Sequence, residues 1–149
     1  MKIRSMVSNK CEYALRAVFE LARQGGEEPK KSQEIASAQG IPPRFLEIIL
    51  VELRNAGFVS AKRGSSGGYT LARSAREITV GQVIRSFQGQ PNNPAQRDCP
   101  DRYAGDYAFS GLWGRVQSAI SGVYDMTTFA DLLQEEITGM CSGAPDYVI

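Results

Sequence analysis

At 149 residues, with 42% apolar and 22% charged side chains, the chain has the size and balance of one soluble globule, not of a disordered or collagenous polymer. Its formal net charge of +1 divides into +5 over residues 1–80 (13 Lys and Arg against 8 Asp and Glu) and −4 over residues 81–149 (4 against 8), so only the first half suits a polyanion. Histidine is absent, which excludes Ser-His-Asp and Cys-His nucleophilic machinery, HExxH zinc sites and every imidazole ligand or proton shuttle.

The N-terminus turns polar at Ser5 and again at Ser8-Asn9-Lys10, leaving no apolar stretch for a signal peptide. The longest aliphatic run, Ile48 to Val51, stops at Glu52, far short of a bilayer span. Three cysteines, Cys11, Cys99 and Cys141, stand 88 and 42 residues apart with no CxxC pair, which suits a reduced compartment better than a disulfide framework. A cytoplasmic protein is expected.

Asn9 with Glu12 three residues on matches a capping box, and Ala14, Ala17, Val18 and Leu21 then mark one face of a helix ending near Gly25-Gly26. Ser32 caps a short second helix that carries Ile35 and Ala36 and stops at Gly40. Pro42-Pro43 opens a third, with Leu46, Ile49, Leu50 and Leu53 at helical spacing until Asn55-Ala56-Gly57. The period then changes. Phe58–Lys62 reads as a strand, Gly64-Ser65-Ser66-Gly67-Gly68 as a turn and Tyr69–Ala72 as the returning strand. Thr79 caps a fourth helix with Val80, Val83, Ile84 and Phe87.

Residues 89–110, holding Pro91, Pro94, Cys99 and Pro100, show no period and read as one long loop. A helix over about Gly111–Tyr124 follows, with Leu112, Val116, Ala119 and Val123 as one stripe widened by Trp113, Ile120 and Tyr124. Thr127 or Thr128 caps a last helix through Phe129, Leu132, Leu133 and Ile137. Three helices, a two-stranded hairpin and further helices predict a mainly α fold with a small β-hairpin: a winged helix-turn-helix followed by a long helix.

In such a unit the second helix of the helix-turn-helix lies in the major groove with its N-terminal residues at base edges. Turning Leu46, Ile49, Leu50 and Leu53 inward leaves Arg44, Glu47, Ile48 and Val51 outward. Arg44 then suits guanine or phosphate, Glu47 a cytosine amino group and Ile48 a thymine methyl. A plain solvated face is the alternative. Lys62 and Arg63 precede five residues without bulky side chains, placing two cations at the tip of a narrow ribbon able to follow a phosphate backbone or enter a minor groove. Arg73 and Arg76 stand just beyond it as further phosphate contacts. The turn lacks the lysine and following helix of a nucleotide-binding loop, and no nucleophile–base or carboxylate pair points to an enzyme. A winged-helix module that binds protein and not DNA is the alternative from another class.

The segments Cys11-Glu12-Tyr13-Ala14-Leu15-Arg16-Ala17, Leu46-Glu47, Leu53-Arg54-Asn55-Ala56-Gly57 and Arg63-Gly64-Ser65-Ser66-Gly67-Gly68-Tyr69 resemble the Rrf2 family of transcription regulators, which includes IscR-, NsrR- and CymR-like members. The likeness covers roughly residues 7–88 and continues more weakly to about 137. It implies a DNA-binding domain over 7–88, a sensing loop over 89–110, a dimerisation helix and short following helix over 111–137, and a tail over 138–149. It implies a homodimeric regulator, expected as a repressor, on palindromic double-stranded DNA, with contacts from Pro42, Pro43, Arg44, Glu47, Ile48, Lys62, Arg63, Ser65, Ser66, Gly67 and Tyr69. By resemblance Glu47 discriminates sequence and Arg63 enters the minor groove. Leu112, Trp113, Val116, Ala119, Ile120 and Val123 would form the dimer contact.

IscR- and NsrR-like members carry three cysteines in the sensing loop; this chain has Cys99 alone there. An iron–sulfur cluster, whose irons take thiolate or sometimes imidazole ligands, would have to recruit Cys11, Glu12, Cys141 or side chains of a partner subunit. Glu12 aligns with a carboxylate ligand of some members. Cys11, in the first turn of a helix, is otherwise a redox-responsive thiol, or all three cysteines are inert small hydrophobes. The tail Asp146-Tyr147-Val148-Ile149 resembles CymR-like members, for which a partner enzyme of cysteine synthesis sets repression without a cluster. Redox, iron–sulfur and cysteine-metabolism signals all stay open.

Overall fold

The stripe Ala14, Ala17, Val18 and Leu21 is fully buried on the inner side of α1 (Asn9–Arg23), the helix around which the domain is built. A computed structural model describes residues 7–25, 28–89 and 103–142. The helices α2 (Ser32–Gln39), through Ile35 and Ala36, and α3 (Pro43–Asn55), through Leu46, Ile49, Leu50 and Leu53, pack directly on α1, as do the fourth and sixth helices. An antiparallel hairpin follows, β1 (Val59–Lys62) and β2 (Gly68–Leu71), in the register Val59–Leu71 to Lys62–Gly68. Among the described residues three helices follow: α4 (Val80–Gln88), α5 (Asp106–Met126) and α6 (Phe129–Ser142). The order is that of a winged helix-turn-helix with a long helix appended.

Local chemistry accounts for most boundaries. The N-cap of α1 is Ser8 and not Asn9: Ser8 Oγ accepts the Cys11 N–H at 3.2 Å, while Glu12 pairs with Arg16 at 3.0 Å instead of closing a capping box. The cap of α2 is Lys31 and not Ser32: Ser32 is already helical, and Glu34 accepts the Lys31 N–H at 2.8 Å. Gly40, at φ +63, closes α2 in the left-handed region, and Pro42 and Pro43 start α3 two residues later. Thr79 and Gln82 cap α4 reciprocally, as Thr128 and Asp131 cap α6.

The long helix differs from expectation. It starts at Asp106, not Gly111, and runs to Met126, so residues 106–110 are helical and not loop. Its start uses an acidic side chain inside the helix: the Asp106 carboxylate accepts the Tyr103 N–H at 3.0 Å. No Ser or Thr at the cap announces that arrangement. The far end of α5 is held to α4 by the Arg85–Asp125 pair at 2.6 Å and by Gly81, where a Cβ would collide with the Asp125 carboxylate. Phe129 then returns to the core with no exposed surface, its N–H bonded to the Ile78 carbonyl at 3.1 Å. Among the described residues no helix is long and apolar enough to cross a membrane.

Candidate nucleic-acid interface

Burial of Leu46, Ile49, Leu50 and Leu53 fixes the rotation of α3 about its axis and so decides what faces outward. Arg44, Phe45, Glu47, Ile48 and Val51 are all exposed. Pro43 occupies the first helical position, where its missing N–H leaves no unmet bond, and Ile41, 3% exposed, anchors the turn before it. Lys10 clamps the helix from α1 through Glu52 at 2.6 Å.

The hairpin brings its cations to a tip. Lys62 and Arg63 are exposed, as are Ser65 and Ser66, and the turn closes through the Gly67 N–H to the Gly64 carbonyl at 3.0 Å. A Cβ at Gly67 would collide with the Lys62 carbonyl and lie 2.9 Å from Arg63 C, so this turn tolerates no side chain there. Gly67 is buried and Tyr69 half-buried against the core, so both shape and seat the hairpin while Lys62, Arg63, Ser65 and Ser66 offer its surface. Arg73 is exposed with its guanidinium 5.2 Å from the Phe58 ring centroid, and Arg76 is exposed as well.

The turn end of β2 is tied to the rest of the domain through Lys30. Its N–H donates to the Tyr69 carbonyl at 2.9 Å and its carbonyl accepts the Tyr69 N–H at 2.8 Å, adding a third edge to the two-stranded ribbon. Its ammonium reaches the buried Glu20 carboxylate, which also accepts from Arg23 and Gln39. Neither Glu20 nor Phe45 stands out in the sequence as functional. Glu20 finds partners 10 and 19 residues away, invisible to local spacing, whereas Phe45 carries a signal, an apolar residue outside the buried set.

Of the residues singled out for sensing, Cys11 and Glu12 are neighbours on α1 and Cys141 lies on α6. Cys11 has no exposed surface, and burial, with the Glu12 charge second, pushes its thiol up to about 11. That is opposite to the thiolate favoured by a helix N-terminus alone. Glu12 is engaged by Arg16 and Cys141 is exposed near the end of α6, which runs on through 138–142, the first residues expected as tail; Cys99 and residues 143–149 lie outside the described residues. Among the described residues no three Cys, Asp or Glu side chains are grouped as metal ligands.

On α5, Leu112, Trp113, Val116, Ala119 and Val123 are exposed and Ile120 is half-buried; no residue of this helix is buried.

Residues 7–135 match the family described as Rrf2: Iron-dependent Transcriptional regulator. Over 134 residues the chain is 34% identical to the HTH-type transcriptional regulator CymR of Bacillus subtilis, covering 85% of this chain and 88% of CymR. The solved structure of CymR, "the Global Cysteine Regulator of B. subtilis", is similar at a TM-score of 0.75 and 35% identity over 87% of this chain and 96% of that one. T. potens IscR is similar at a TM-score of 0.72 and 36% identity over 87% of each chain.

Proposed function

Since the chain belongs to the Rrf2 family of transcriptional regulators, and so is a DNA-binding regulator and not an enzyme, we propose that it works as a homodimeric repressor on a palindromic operator. The observation that carries this reading is the joint exposure of the α3 outer face and the Lys62-Arg63 tip. Arg44, Glu47 and Ile48 meet base edges in the major groove, Arg63 enters the adjacent minor groove, and Lys62, Arg73 and Arg76 hold phosphates. A dimer formed through α5 sets two α3 helices about one helical turn of DNA apart, roughly 34–36 Å, or at a multiple of that.

For the signal, we infer an input from cysteine metabolism. The likeness to CymR supports it. A partner enzyme of cysteine synthesis is the proposed carrier. Selection of bound duplexes from a random library, followed by footprinting, tests the whole reading. Two half-sites of dyad symmetry are expected; no protected stretch under any redox or metabolite condition overturns it.

A further inference from the structure

The outer side of α3 carries more apolar surface than a solvated helix face requires. Phe45 is 57% exposed, Ile48 55% and Val51 44%. Spaced at i, i+3 and i+6, they form one ridge that starts in the first turn of the helix. The helix cannot roll to bury it, because the opposite face is locked in the core by Leu46, Ile49, Leu50 and Leu53.

The neighbours of this ridge specify its occupant. Arg44 stands at its start, and the next element in the chain ends in exposed Lys62 and Arg63. An apolar protein surface does not match such cations. Duplex DNA does: it is a polyanion whose major groove admits a helix and displays one apolar group, the C5-methyl of thymine. Resting on the reading that α3 enters the major groove, we propose that Phe45 is a specificity-determining residue. Together with Ile48 and Val51 it packs on thymine methyl groups, so that each half-site has thymines facing the ridge.

The test uses the full chain and a selected operator in which the half-site thymines are replaced by 2′-deoxyuridine, which removes the methyl and keeps base pairing. Loss of one buried methyl weakens binding about fourfold, so two such changes per half-site give more than tenfold. The same changes outside the half-sites leave affinity unaltered. Phe45→Ala binds the thymine operator more weakly and discriminates less between the two duplexes, with an unchanged thermal midpoint because the side chain lies outside the core. Equal affinity of the unmodified protein for thymine and uracil operators, with sequence-specific binding retained, overturns the ridge assignment and leaves the regulator reading standing. Full thymine preference in Phe45→Ala overturns the role of Phe45. Absence of sequence-specific binding to any duplex overturns the regulator reading and this inference with it.

Discussion

The ammonium of Lys30 lies 2.5 Å from Oε1 of Glu20, a carboxylate with no exposed surface. Arg23 donates to the same oxygen at 2.6 Å and Gln39 to the other at 2.8 Å, so one buried charge joins the ends of α1 and α2 to the segment that seats the hairpin. Burial by itself would raise the Glu20 pKa. Hydrogen bonds from Arg23, Lys30 and Gln39 and the charge of Lys30 outweigh it and bring the value from 4.5 to about 2.

A carboxylate whose folded pKa lies below its unfolded one stabilises the fold fully above about pH 4.5, and that contribution disappears as pH falls toward 2. Urea unfolding at a series of pH values should show stability declining through this window. Glu20→Gln should flatten the decline and, by leaving Lys30 without its counter-charge, cost about 3 kcal/mol at neutral pH. Parallel acid profiles for the two proteins would remove Glu20 from this role.

Arg63 stands at the tip of a hairpin whose turn admits no side chain at Gly67, so its position follows from the hairpin and not from contacts of its own. Removing it should weaken operator binding and lower the slope of log affinity against log salt by about one unit, the loss of roughly one released counterion. Titrations of Arg63→Ala at several salt concentrations measure this. An unchanged slope places the residue away from the phosphates.

Glu47 is exposed on α3 one residue before Ile48, and an acceptor in the major groove rewards cytosine and penalises other bases. Glu47→Ala should therefore bind a wider set of operators without a large drop on the best one. Parallel selections with both proteins check it; recovery of one identical motif would mean that Glu47 reads no base.

How much of this was legible in the sequence depends on the range of the forces involved. The inward set Leu46, Ile49, Leu50 and Leu53, the stop at Gly40 and the Thr79 cap are local signals, and the structure shows each where spacing places it. The Ser8 cap was one residue away from the reading because Ser8 and Asn9 are both good caps and only geometry chooses between them. Cys11 shows the reverse case. The helix N-terminus predicts a thiolate there, but the packing that buries the thiol is tertiary and dominates.

That burial gives a chemical prediction. Under native conditions Cys11 should resist alkylation by iodoacetamide while the exposed Cys141 reacts, and both should react in urea. Peptide mass spectrometry after timed quenching separates the two sites. Rapid native modification of Cys11 would restore it as a redox-responsive thiol.

The 21-residue helix α5 is about 30 Å long and buries none of its residues, although Trp113 is 47% and Val123 65% exposed. An apolar stripe of this size calls for a cover, and in the proposed homodimer a second copy would supply the same stripe. Val116→Asp puts a charge in the middle of that contact while leaving the core of the protomer untouched, so helical content should persist as the mass in sedimentation falls to that of one chain. The operator then meets two independent subunits in place of a linked pair. Loss of the high effective concentration at the second half-site should weaken binding by about a hundredfold or more. A variant that stays dimeric and keeps its affinity would show that the subunits meet through another surface, and the spacing expected between half-sites would have to be derived from that surface instead.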